Sequence, residues 1–130
     1  MKTPLLILTI AALAIPAFGH HSFDAEYDGQ KTVTVRGKVT KFEFINPHGW
    51  IYLDGTDEAG KSGAWSAETA NVSSLLRRGW RKDSLKPGTE VIIEGSRAKD
   101  GTNTVSVRSV RLPDGSKLFS GTTPDGAPVK

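Results

Sequence analysis

Hydrophobic and polar residues alternate along most of the chain after residue 30, the pattern of half-buried β-strands. The longest run, KTVTVRGKVTKFEF at 31–44, contains an interior glycine, Gly37, and its apolar residues change face between Val39 and Phe42. A glycine and a change of face within one strand indicate a bulge or a sharp bend. The first strand is therefore predicted to serve two halves of a curled sheet.

The same alternation predicts the other strands. They are WIYLD at 50–54, GAWSAE at 63–68, EVIIEGSRA at 90–98 and TVSVRSVRL at 104–112, with a short added strand at 117–119. A different spacing, typical of a helix, occurs in ANVSSLLRRGW at 70–80, with Asn71 as its N-cap and Gly79 as its stop signal.

This order of elements predicts an all-β fold: a small OB-fold-like five-stranded barrel with one short helix between strands 3 and 4. The position of the helix favours this barrel. Other small barrels and sandwiches share the strand pattern, because one sequence does not reveal the order of strands in space.

The start of the chain has the pattern of an export signal. Lys2 precedes the apolar run LLILTIAALAI at 5–15, which is too short to span a bilayer, and Ala17-Phe18-Gly19 matches a cleavage site. Cleavage after Gly19 is expected, with cleavage after Ala17 as the alternative.

The predicted organisation follows from these boundaries. It comprises a signal peptide at 1–19, an extended N-terminal segment at 20–30, an OB-like barrel domain at 31–119 and a disordered tail at 120–130. The expected location is the periplasm, with no stable membrane anchor after cleavage.

Composition narrows the functional classes. The chain contains no cysteine, so neither a disulfide nor a thiolate metal ligand can form. Its formal net charge of +3 arises from interspersed acids and bases, which does not favour a nucleic-acid partner. No serine elbow or phosphate-binding glycine loop is present, so hydrolysis is the least supported class.

Several phrases together resemble a family of small exported bacterial proteins of unknown function. The matching phrases are HHSFDAEYD, GKVTKFEFINPHGWIYLD, LLRRGWRKDSLKPG and AKDGTNTVSVRSV. The residues that match the motifs of that family are His20, His21, Ser22, Phe23, Asn46, Pro47, His48, Trp50, Arg77, Gly79 and Trp80. The resemblance covers nearly the whole chain after the signal and implies no established catalytic role.

The three histidines suggest a metal site. If cleavage leaves His20 first, its α-amine and ring nitrogen can chelate one ion, and His48 or His21 can add a third nitrogen. Such a nitrogen set favours Cu(II). Cleavage after Ala17 would place His20 third, which also favours copper but with amide ligands. The alternative is that these histidines flank the cleavage site or cap backbone groups.

The remaining candidates concern a binding surface. The acids at 24, 26 and 28 are expected on a solvated segment that Phe23 and Tyr27 anchor to the barrel. Trp65 and Trp80 are expected to be mostly buried, and Trp50 partly exposed near His48. The predicted ligand-binding residues are Asn46, Trp50, Tyr52, Arg77 and Trp80.

Two functional hypotheses result. The first is a non-enzymatic exported binding module that holds a small ligand or a periplasmic protein partner. The second is a copper-binding protein that uses His20 with His48 or His21.

Overall fold

The alternating segments fold as six strands, accompanied by two short helices, in the computed structural model, which describes residues 23–120. In chain order the elements are α1 (Phe23–Glu26), β1 (Tyr27–Glu43), β2 (Trp50–Asp57), β3 (Ser62–Glu68), α2 (Val72–Arg77), β4 (Glu90–Ala98), β5 (Thr104–Arg111) and β6 (Lys117–Phe119). Within residues 23–120, none of the helices has the length and apolarity needed to cross a membrane.

The sheet closes on itself. Its strand order is β3-β2-β1-β4-β5-β6, and β3 also pairs with β5. That closing pair is parallel and joins Ser66–Glu68 to Thr104–Ser106, whereas the other pairs are antiparallel. Strands β1 to β5 therefore form a ring, with α2 between β3 and β4, which confirms the predicted barrel.

Strand β1 serves both halves of the barrel, as predicted. It pairs with β4 from Tyr27 to Lys38 and with β2 from Val35 to Glu43. Its register with β2 shifts between Val39 and Lys41, the bulge that the change of face indicated. Strand β1 begins at Tyr27, four residues before the predicted start, because Tyr27 pairs with Ala98 of β4 despite its polar neighbours.

Helix α2 begins and ends at the predicted signals. The Asn71 side chain accepts a hydrogen bond from the Ser74 backbone N–H at 2.9 Å. Gly79 has a φ of +87°, and the N–H of Trp80 returns to the Leu75 carbonyl at 3.0 Å. The helix is shorter than the 70–80 prediction because these signals stand inside that range.

The barrel interior holds the apolar face of every long strand. Its largest fully buried side chains are those of Trp65, Trp80, Ile51, Leu53, Leu75 and Ile93. Trp50 is half-buried, so the three tryptophans have the exposures expected from the sequence. Ser120, assigned to the tail by the sequence, is buried, and its side chain accepts a hydrogen bond from the Ala70 N–H. The rest of the predicted tail lies outside the described residues.

Candidate functional site

Three side chains form a connected polar chain at one side of the barrel. His48, in the loop between β1 and β2, places Nδ1 3.5 Å from Oε1 of Glu68, the last residue of β3. The other carboxylate oxygen of Glu68 accepts a hydrogen bond from the Tyr27 hydroxyl, at the start of β1. Segments that are distant in sequence thus meet through one carboxylate.

The loop that carries His48 is fixed against the end of β3. The Gly49 N–H donates to the Ala70 carbonyl at 3.2 Å, and the Thr69 N–H donates to the Gly49 carbonyl at 2.8 Å. A Cβ at Gly49 would lie 2.5 Å from Oγ1 of Thr69, so a larger residue would push the loop away. The glycine of the Asn-Pro-His-Gly phrase therefore holds His48 beside Glu68.

The contacts of His48 determine which ring nitrogen is available. Nδ1 lies 3.2 Å from the Thr69 backbone carbonyl, which can only accept a hydrogen bond. This contact assigns the Nδ1 proton to the neutral ring and leaves Nε2 with its lone pair. Since 45% of the His48 side chain is exposed, an incoming ligand can reach the ring.

The Tyr27 hydroxyl is held in its neutral form. Burial raises the pKa of Tyr27 above its usual value, and the hydrogen bond to Glu68 and the charge of that carboxylate raise it further. Tyr27 is 5% exposed, and its ring stacks on Phe23 with centroids 5.7 Å apart. Phe23 and Tyr27 thus anchor the first described residues to the barrel.

Two cavities adjoin this polar chain. One, of about 270 Å³, is lined by residues that include Phe23, Tyr27, His48, Glu68, Ser74 and Arg108. The other, of about 520 Å³, is lined by residues that include Ala25, Trp50, Lys99, Thr102 and Thr104. Glu26 and Tyr27 line both, so the end of α1 separates them.

The structure brings together two of the five predicted ligand-binding residues. Trp50 and Tyr52 lie on the outer face of β2, with ring centroids 6.5 Å apart and ring planes at 22°. The Tyr52 hydroxyl donates to Glu43 at 3.3 Å, and the ammonium of Lys41 lies 5.9 Å from the centre of the Tyr52 ring. Trp50 also lines the larger cavity, which connects this aromatic pair to the site.

The other three have contacts that support the fold. Asn46 accepts a hydrogen bond from the Val72 N–H at the start of α2, and Arg77 on α2 donates to the Ser74 hydroxyl. Trp80 is 0% exposed and donates its indole N–H to the Phe119 carbonyl at 2.8 Å. Trp80 is therefore removed from the binding surface, because its ring is part of the core.

Glu68 was missed by the sequence analysis. An acid at the end of a strand has no local feature that separates a site residue from a solvated one. Its role depends on the β3–β5 closure and on the return of the chain to Tyr27, both of which are long-range contacts. The only hint in the sequence was the anchoring role expected for Tyr27, because an anchored tyrosine hydroxyl needs a hydrogen-bond partner.

The predicted metal ligands are only partly within the described structure. His20 and His21 lie outside residues 23–120, whereas His48 lies within them. Among these described residues, no group of three or more His, Cys, Asp or Glu side chains could hold a metal ion.

Comparisons with known proteins give a family but no activity. No curated protein and no solved structure matches the chain. The model of one family, described as a family of unknown function (DUF6152), matches residues 8–107, which is most of the sequence. The chain belongs to this uncharacterised family.

Proposed function

We propose that this protein is an exported, non-enzymatic binding module whose ligand occupies the cavity beside His48, Glu68 and Tyr27. The observation that carries the proposal is that these three residues meet at one cavity. The Tyr27 hydroxyl donates to Glu68, and Nδ1 of His48 lies 3.5 Å from the same carboxylate, while Nε2 has no hydrogen bond within residues 23–120. A concave site with a few fixed polar groups is the usual form of a small-molecule pocket. Export rests on the signal pattern at residues 1–19.

The cavity lining indicates the kind of ligand. Its volume of about 270 Å³ lies just below the range of about 300–1,000 Å³ for ligand pockets, which favours a small molecule over a protein segment. Phe23 and Val107 supply apolar wall, while Arg108 and Glu68 add one cationic and one anionic group to the lining. A small polar molecule with an apolar side matches these groups.

The arrangement supports binding rather than covalent catalysis. Nucleophilic catalysis by serine requires a hydroxyl within hydrogen-bond reach of a base. Ser74, Ser96 and Ser106 line the cavity, but within the described part of the chain none of them hydrogen-bonds to His48. His48 instead bonds to the Thr69 carbonyl and lies beside Glu68, which orients the ring for recognition.

A thermal-shift screen of the protein lacking residues 1–19 tests the binding proposal. The panel contains small organic acids, amines, amino acids and sugars, and a compound that raises the melting temperature is then titrated by calorimetry. His48→Ala is expected to abolish binding of that compound, and Lys82→Gln, in the exposed loop after α2, is expected to leave it unchanged. A compound that binds His48→Ala as tightly as the wild type would contradict the proposal.

A second candidate function is copper binding. The specific observation is that Nδ1 of His48 is engaged while Nε2 is free, the arrangement in which protein histidines usually ligate metals. Phe23 lines the same cavity as His48. His20 stands three positions before Phe23, and three residues span at most about 10 Å, so this candidate requires the amine and ring of His20 to reach His48 over that length.

Copper titration of natively processed protein tests this second candidate. The first residue is confirmed by mass spectrometry, and binding is followed by calorimetry and electron paramagnetic resonance. Copper binding is expected to weaken strongly in His48→Ala and in a control that retains one extra residue before His20. Equal affinity for all three proteins would show that His48 and the amine are not joint ligands.

A further inference from the structure

A groove crosses the outer face of the barrel, away from the site around His48. It has a volume of about 870 Å³ and shares no lining residue with the cavity around His48. Its lining comes from adjacent positions on β1 to β4 and from the end of β5 with the turn that follows. We name it the arginine groove after Arg36 and Arg111, which line it.

The strand register sets the spacing of the two arginines. Arg36 of β1 pairs with Ile92 of β4, and Ile92 pairs with Arg111 of β5. Cross-strand partners share one face of a sheet, so the two arginines flank the half-buried Ile92. Two strand spacings place their backbones about 10 Å apart. The two long side chains can therefore reach one anion held between them.

The acids of the groove lie in a neighbouring row. Lys38 has Asp54 as its partner on β2 and Glu90 as its partner on β4, and its ammonium lies 3.9 Å from the Glu90 carboxylate. By contrast, neither arginine side chain has a hydrogen bond or ion pair within residues 23–120. The positive charge of the groove is therefore concentrated at the arginine row.

A row of glycines lies between the arginine row and the row of Lys38. Gly37, Gly55 and Gly63 are in register on β1, β2 and β3, and all three line the groove. Strand alternation turns this row towards the barrel interior, where a Cβ at Gly55 would lie 2.8 Å from the buried Val35 side chain. A Cβ at Gly37 would lie 2.0 Å from the Asp54 carbonyl, so the strands at this position approach more closely than any larger residue permits.

We propose that the arginine groove binds an anionic amphiphile, a molecule with one carboxylate or phosphate head and an apolar body. The head lies between Arg36 and Arg111, because guanidinium groups match the geometry of planar oxyanions and form charge-assisted hydrogen bonds with them. The body covers Ile92 and extends along Leu112 and Pro113, which supply apolar wall. This site is independent of the ligand proposed at His48.

Eight-carbon probes with different heads test the site. Octanoate, octyl phosphate, octanol and octylamine are titrated into isotope-labelled protein that lacks residues 1–19, and amide shifts are followed by NMR. Octanoate and octyl phosphate are expected to shift the amides of β1, β4 and the end of β5, with little response to octanol or octylamine. Comparison of the two acids decides whether the groove prefers a carboxylate or a phosphate.

Variants connect this binding to the two guanidinium groups. The double variant Arg36→Gln with Arg111→Gln is expected to bind the preferred acid roughly tenfold more weakly. The matched control, Lys82→Gln with Lys86→Gln, removes the same charge from the exposed loop after α2 and is expected to bind like the wild type. Thermal unfolding of both variants verifies that the fold is intact.

Three results would overturn the proposal. The first is equal binding of octanol and the acids, the second is equal loss of binding in both double variants, and the third is a set of shifts centred on Tyr27 and His48. The variant His48→Ala separates the two proposals, because it should lose the ligand of the cavity around His48 and retain octanoate in the arginine groove.

Discussion

At the scale of single residues, the bond between Tyr27 and Glu68 joins the first strand to the end of the third. The Tyr27 ring is buried and the Glu68 side chain is 14% exposed, so removing the hydroxyl leaves a shielded carboxylate oxygen unpaired. Tyr27→Phe is expected to lower the free energy of unfolding by about 2 kcal/mol. Urea denaturation measures the loss.

Tyr52→Phe is the matched control for this change. Its hydroxyl also donates to a glutamate, Glu43, but at 3.3 Å and on the outer face of the barrel. Because water can replace that bond, a loss below about 1 kcal/mol is expected. If both variants lost equal stability, the buried Tyr27–Glu68 bond would contribute no more to stability than the exposed Tyr52–Glu43 bond.

The buried phenol also makes stability depend on high pH. Burial and the Glu68 carboxylate raise the pKa of Tyr27 in the folded state. The unfolded chain releases this proton near the ordinary tyrosine pKa of about 10, so the unfolded state binds fewer protons above that pH. The stabilising contribution of Tyr27 is therefore complete below about pH 10 and is lost as the pH rises above it.

Ultraviolet titration of tyrosinate absorbance measures this effect. Folded protein is expected to show little ionisation at the ordinary pKa, because the pKa of Tyr52 is also raised by burial and by Glu43. In urea, both tyrosines should titrate together. The Tyr27→Phe variant should lose less stability than the wild type above about pH 10, and an identical decline in both proteins would contradict this assignment.

At the scale of elements, two glycines allow neighbouring strands to approach each other closely: Gly37 of β1 and Gly95 of β4. A Cβ at Gly37 would lie 2.0 Å from the Asp54 carbonyl, and a Cβ at Gly95 would lie 2.0 Å from the Ser106 carbonyl. Gly37→Ala and Gly95→Ala must push a neighbouring strand away. Each is expected to cost about 3 kcal/mol or more in the free energy of unfolding, the upper range for overpacking.

Gly101→Ala separates this close approach from ordinary glycine strain. Gly101 lies in the turn between β4 and β5 with a φ of +78°, and a Cβ there would meet nothing within 4 Å. Its substitution is expected to cost about 1 kcal/mol through backbone strain alone. Urea denaturation of the three variants measures the difference. Similar losses would show that the strands can move apart with little loss in the free energy of unfolding.

Element boundaries were predictable where a local signal exists. The bulge of β1 between Val39 and Lys41, the Asn71 cap and the Gly79 stop depend on residues within a few positions of the feature they produce. The start of β1 at Tyr27 does not, since its strand character comes from pairing with Ala98, far along the chain. The sequence therefore predicted the bulge of β1 better than its beginning.

At the scale of the whole molecule, ring closure decides which residues meet. The parallel pairing of β3 with β5 is long-range, and no local pattern distinguishes it from an open sheet. His48 and Trp50 could be proposed from their phrase, but Glu68 joins the site only after closure brings the end of β3 beside Tyr27. The sequence thus predicted the fold class. The candidate site contains His48 and Trp50, which the sequence proposed, and Glu68, which it did not.

The final strand, β6, and the residue after it stabilise the ring of β1 to β5 through hydrogen bonds. Phe119 accepts the indole N–H of Trp80 at 2.8 Å, and the Ser120 N–H donates to the Arg108 carbonyl at 2.8 Å. Deletion of residues 113–130 would leave the buried Trp80 donor without a partner and uncover one edge of β5. It is expected to lower the free energy of unfolding by about 3 kcal/mol or more and to shift tryptophan fluorescence towards that of exposed indole.

Deletion of 121–130 alone is the matched control, expected to leave both measurements unchanged. Equal stability of the two truncated proteins would mean that closure of β1 to β5 is sufficient without β6.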